Sequence, residues 1–99
     1  MKKLVRDHIP DLIRASGEEP VTRILNDAEY LAALETKLDE EVAEYNADKS
    51  LEELADILEV VLALAEAQGG TRDELLSVYQ SKHDARGGFE KRIFLEGKK

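Results

Sequence analysis

Between Leu51 and Ala67, apolar residues fall on almost every side of a helix, and an acid, Asp56, stands among them. Leu51, Leu54, Ile57, Leu58, Val60, Val61, Leu62 and Leu64 together cover most of the circumference. A helix that is apolar nearly all round is buried on several sides. In a chain of 99 residues this segment is therefore predicted to be a central helix, a dimer interface or both. An ionised carboxylate inside such a stretch is costly unless it is paired or bound to a metal, so Asp56 is not a bystander.

The residues before it sharpen the point. Glu40-Glu41-x-x-Glu44 and Glu53-x-x-Asp56 flank a short polar break from Asn46 to Ser50. Both flanks have helical patterns, and positions three apart share a helix face, so Glu41 groups with Glu44 and Glu53 with Asp56. A short connection makes two helices antiparallel neighbours, and the two pairs are placed symmetrically about the break. Folding there brings four carboxylates together. Like charges at that separation must protonate, separate or bind a cation. Hard divalent cations prefer oxygen ligands, and Mg²⁺ keeps waters or substrate phosphates in its remaining positions. Glu41, Glu44, Glu53 and Asp56 are thus candidate ligands for Mg²⁺, with Mn²⁺ the alternative. The competing reading is a solvated acidic face, the usual fate of Glu runs on helices. Symmetric spacing, a tight break and the apolar surroundings of Asp56 favour the site. Glu53 is also the last residue of the capping-box pattern Ser50-Leu51-Glu52-Glu53, so it is either a cap residue or a ligand. Glu40 points about one helical step away and either orients a ligand or water or faces solvent.

Around this centre the chain reads as mainly α: an antiparallel helical hairpin plus a third helix, with short terminal β or extended segments. Residues 1–9 form an extended or irregular arm, and Pro10 suits the first turn of a short helix through Ala15, stopped by Ser16-Gly17. Val21, Thr22 and Ile24 favour a strand, with Pro20 confining it to an edge or a start. Asn26 or Asp27 is a plausible cap for a helix from about Asp27 to Asn46, whose stripe is Ala28, Leu31, Leu34, Leu38, Val42 and Tyr45. The next helix runs from Ser50 to about Gln68. A second capping box, Thr71 to Glu74, opens a helix through about Asp84 with Leu75, Leu76, Val78 and Tyr79 as its buried side. Phe89 to Leu95 has strand-type residues, and Gly97 to Lys99 reads as a frayed tail.

Length bounds the rest. Residues 1–99 make one domain, able to bury somewhat over about 60% of its unfolded surface, and dimerisation would enlarge its core. An apolar content of 42% with 36% charged residues fits a soluble globular chain. The net charge of −8 argues against binding nucleic-acid polymers, while local cations or a metal still admit an anionic small ligand. No cysteine is present, which excludes disulfides and thiolate sites. The longest apolar run, Val60 to Ala65, is far short of the roughly 20 residues of a membrane span, and no signal-peptide core follows the first lysines. The cytoplasm is the predicted compartment.

Glu40-Glu41-Val42-Ala43-Glu44 followed by Glu53-Leu54-Ala55-Asp56 resembles the EExxE…ExxD metal-binding signature of the MazG-like all-α nucleotide pyrophosphohydrolases. Lys3-Leu4-Val5-Arg6-Asp7-His8-Ile9-Pro10 and Arg86-Gly87-Gly88-Phe89 look like a small stand-alone branch, phosphoribosyl-ATP pyrophosphohydrolase-like or house-cleaning NTP pyrophosphatases. His8 departs from that branch, which often has lysine there. The resemblance covers nearly the whole chain. It implies an all-α NTP pyrophosphatase-like bundle and Mg²⁺-dependent cleavage of a nucleoside triphosphate between its α- and β-phosphates, with Glu40, Glu41, Glu44, Glu53 and Asp56 catalytic. The all-round apolar helix and the short chain lead to the expectation of a homo-oligomer, a dimer or larger. A triphosphate needs protein cations as well. Lys3, Arg6, Lys82 and Arg86 fall in the branch motifs, and Lys37 lies one turn before Glu41, where a simple i,i+4 pair is its other reading. Phosphoribosyl-ATP hydrolysis, a non-catalytic nucleotide or metal binder, and a structural helical dimer are the alternatives.

Overall fold

The computed structural model describes residues 2–99; Met1, the first residue of the predicted arm, lies outside the described residues. Four helices follow in order: α1 (Ile9–Ala15), α2 (Asp27–Ala47), α3 (Leu51–Ala67) and α4 (Arg72–Arg86). Among the described residues there is no strand, so the fold is mainly α.

Each long helix begins where the side chains can satisfy its free N–H groups. Asn26 caps α2 in a full capping box, accepting from the Glu29 N–H at 2.9 Å while Glu29 accepts from the Asn26 N–H at 3.2 Å. Ser50 accepts from the Glu53 N–H at 3.3 Å, and Thr71 from the Glu74 N–H at 3.1 Å. Each cap of this kind is worth about 1 kcal/mol. Gly17 and Gly69, both at φ 92°, turn the chain out of α1 and α3 in a conformation glycine adopts without penalty.

Residues 48–50 return the chain so that α3 packs along α2, the main interhelical contact; α4 touches α3 more sparingly. Glu41, near the link, meets Glu53 and Asp56. Leu34 and Lys37, further back on α2, share a groove with Glu59, Val60 and Ala63 further along α3. That is the order neighbours running in opposite directions give. The contact is sealed by Leu34 and Val60, the two buried apolar residues among those described.

Several apolar residues are not covered. The α3 helix is not buried on several sides: Leu51, Leu54 and Leu58 are exposed, because α2 covers one face of α3 and α4 only its end. On α4, Leu75 is half-buried, but Leu76, Val78 and Tyr79 are exposed rather than forming a buried side. The predicted strands are also absent. Val21 and Ile24 are 99% and 95% exposed, with no neighbouring strand to pair them. Phe89 to Leu95 is interrupted by a turn in which the Arg92 N–H donates to the Phe89 carbonyl at 3.1 Å and Arg92 sits at φ 59°. A left-handed residue there breaks the side-chain alternation that a strand requires. The result is extended: the radius of gyration is 17.7 Å, against about 13 Å for a compact domain of this length.

Candidate metal centre

The site is built on the α2–α3 contact. On α2, Lys37, Glu41 and Glu44 recur on one face, and Glu41 borders the apolar stripe that α3 covers. It is the buried charged residue among those described, its side chain only 9% exposed. On α3 the Ser50 cap fixes the first turn, which sets the phase of Glu53 and, one turn on, Asp56. One carboxylate oxygen from each of Glu41, Glu53 and Asp56 lies within 4.8 Å of the others.

Glu53 does more than cap. Its backbone N–H binds Ser50, but the reciprocal bond of a capping box is not made, because the Ser50 N–H donates to the Asp48 carbonyl at 2.7 Å. Glu53 Oε2 and Glu41 Oε2 are instead buried without a hydrogen-bond partner. Burial, then the fields of Glu44, Asp56, Asp48 and Glu41, push the Glu53 carboxyl above its ordinary pKa. An orphaned buried acceptor costs about 1–3 kcal/mol, so two of them converging beside a third acid is an arrangement a cation would relieve. The donor set also fits. Three carboxylate oxygens are hard donors of the kind Mg²⁺ or Mn²⁺ prefers.

Two protein cations stand against the cluster. Lys37 Nζ lies 3.3 Å from Glu40 and 3.4 Å from Glu41; burial opposes its charge, but the bonds to Glu40 and Glu41 outweigh that and raise its pKa. From the arm, Arg6 Nη2 donates to Asp56 Oδ1 at 2.7 Å and Nη1 to Glu59 Oε1 at 3.1 Å. A groove of about 350 Å³ opens beside the acids, walled by Leu4, Val5 and His8 from the arm and by Tyr30, Leu34 and Ala63 from the helices. That volume lies in the range of small-molecule sites.

The predicted site residues divide accordingly. Glu41, Glu53 and Asp56 come together, with Arg6 and Lys37 beside them. Glu44 is exposed and outside the three-acid group, though its charge reaches Glu53. Glu40 pairs with Lys37 instead of turning into the cluster. Lys3 is exposed outside the groove lining, and Lys82 and Arg86 are exposed on α4, likewise not lining it. Glu59 and Tyr30 are among the groove residues that were not anticipated. Glu59 lies three positions after Asp56 on one face of α3, a spacing legible in the sequence. Tyr30 lies one turn before Leu34 on the α2 stripe, but no sequence signal separated it from core.

No family model matches the chain, and no solved structure matches it. An uncharacterized protein of Mycolicibacterium smegmatis is 68% identical over 47 residues, which are 48% of this chain and 48% of that protein. The match thus spans about half the length of that relative.

Proposed function

We propose that the chain is a nucleoside triphosphate pyrophosphohydrolase that uses Mg²⁺ or Mn²⁺ and releases a monophosphate and pyrophosphate, with house-cleaning of non-canonical nucleotides as its role. The observation that carries this reading is the convergence of Glu41, Glu53 and Asp56 from two helices, with two orphaned oxygens, beside a groove that Glu41, Asp56, Arg6 and Lys37 line. The resemblance of the EExxE…ExxD pattern to MazG-like enzymes supplies the reaction.

In this reading Glu41, Glu53 and Asp56 hold the cation, with Glu44 one turn along α2 as a fourth ligand. When bound, the ion would polarise phosphoryl oxygens and lower the pKa of an attached water. The protein's own part is placement and charge, which dominate phosphoryl transfer. Lys37 and Arg6 face the phosphates; Lys3, Lys82 and Arg86, exposed outside the groove lining, are the further cations that the resemblance implies. Glu40, anchored by Lys37, orients water from behind the ligands. Water attacks the α-phosphorus, the bond to the bridging oxygen breaks, and pyrophosphate leaves. Tyr30, Leu34 and Ala63 give the groove an apolar wall for the nucleoside.

The α2–α3 pair with α4 is, on this reading, the hairpin and third helix of an all-α NTP pyrophosphatase-like bundle, completed in a homo-oligomer acting in the cytoplasm. The exposed Leu51, Leu54 and Leu58, apolar side chains left uncovered on one helix, support assembly. The test is pyrophosphate release from a panel of NTPs, dNTPs and damaged nucleotides with Mg²⁺ or Mn²⁺. Release from at least one of them supports the proposal, and release from none overturns it.

A further inference from the structure

Arg6 holds the Asp56 carboxylate that the cation would need. Among the described residues its ion pairs with Asp56 and Glu59 are the ones that join distant parts of the chain; the others span six residues or fewer. They tether the non-helical arm across the groove, where Leu4 and Val5 lie half-buried against the helices. Asp56 Oδ1 accepts from Arg6 at 2.7 Å, while an Asp56 oxygen also belongs to the three-acid group. A guanidinium and a divalent ion thus claim one side chain.

We infer that the divalent cation and Arg6 compete for Asp56, so that the arm is a latch that Arg6 fastens and ion binding loosens. This rests on the reading of Glu41, Glu53 and Asp56 as the cation site. Lys37 and Arg6 do not neutralise the acids, since Glu40, Glu44, Asp48 and Glu59 stand beside the three; an ion that draws on the Asp56 carboxylate weakens that carboxylate's hold on the guanidinium. Arg6 retains its second contact, Glu59 at 3.1 Å, and pivots on it. Its freed N–H groups then face the groove, where phosphate oxygens accept them bidentately. Arg6 is accordingly a phosphate-binding residue whose availability depends on the metal, and this orders binding: cation first, phosphates second.

The test uses the full chain with Mn²⁺ and Mg²⁺ alone. Mn²⁺ affinity is read by electron paramagnetic resonance for wild type, Arg6→Gln and, as a control for net charge, Lys2→Gln. Arm mobility is read from ¹⁵N relaxation of residues 3–8 with and without saturating Mg²⁺. Removing the competitor raises Mn²⁺ affinity by about two- to fivefold, the equilibrium weight of a half-exposed ion pair, whereas Lys2→Gln leaves it unchanged. Mg²⁺ loosens the wild-type arm, and in Arg6→Gln the arm is loose from the start. If wild type binds Mn²⁺ and Arg6→Gln binds it equally or more weakly, or if Lys2→Gln gains as much as Arg6→Gln, the latch is overturned while the metal site stands. An arm equally rigid with and without Mg²⁺ also overturns it. Failure of every variant to bind Mn²⁺ overturns the latch and the site together.

Discussion

Replacing Glu41 by Gln changes the cluster's charge while keeping its shape. The side chain is buried, one oxygen faces Lys37 at 3.4 Å and the other has no partner. Without metal, loss of the Lys37 pair is offset by relief of repulsion from Glu53 and Asp56, so the variant is no less stable than wild type. With metal the two proteins separate. A ligand that binds only the folded state, present at 100 times its Kd, stabilises by about 2.7 kcal/mol. For a domain of this length that is a rise in Tm of roughly 10–20 °C. Loss of a group that merely supports a metal ligand weakens binding about 10- to 100-fold, and Glu41 is one of three carboxylates in the cluster itself. At a hundredfold weaker affinity and the same Mg²⁺ concentration, the gain falls to about 0.4 kcal/mol, a shift of roughly 2–3 °C. Thermal denaturation across a Mg²⁺ titration, at fixed protein concentration, measures both. A Glu41→Gln protein that gains as much Tm from Mg²⁺ as wild type would refute the reasoning, as would a wild type that gains none.

Three further outcomes follow from the same geometry. Ser50→Ala removes the cap that phases α3, costing about 1 kcal/mol of stability by urea denaturation, and it weakens Mn²⁺ binding because Glu53 is set by that turn. The raised Glu53 pKa favours the folded state fully below the ordinary carboxyl value of 4.5. That contribution is lost as pH rises through the elevated folded value, so metal-free wild type loses it over this window and Glu53→Gln does not; thermal denaturation across pH without divalent ions measures the difference. Sedimentation analysis is expected to show a homo-oligomer whose Tm depends on protein concentration, with Leu54→Glu/Leu58→Glu shifting it towards monomer.

The helices were legible because their signals are local. Asn26, Ser50 and Thr71 cap the long helices as their side-chain chemistry dictates, and the three- and four-residue spacing of Leu31, Leu34 and Leu38 fixes which face of α2 turns inward. The convergence of Glu41, Glu53 and Asp56 was legible too, since a helix phase and a short link determine it. What failed was non-local. Val21, Ile24, Ile93 and Phe94 have strand-type side chains, but a strand exists only with a partner, and no pattern within those segments supplies one. Arg6 could be read as a phosphate ligand, but its grip on Asp56, 50 residues away, depends on the path of the arm. The all-round apolar character of α3 promised burial that a single chain does not provide, since α2 covers only the side bearing Val60.

The central claim, that acids from α2 and α3 share one ion, is tested most directly by anomalous diffraction from crystals soaked in Mn²⁺. The account predicts a peak at coordination distance from Glu41, Glu53 and Asp56, with Arg6 withdrawn from Asp56. Mn²⁺ found only elsewhere, with those three carboxylates unliganded, would contradict it.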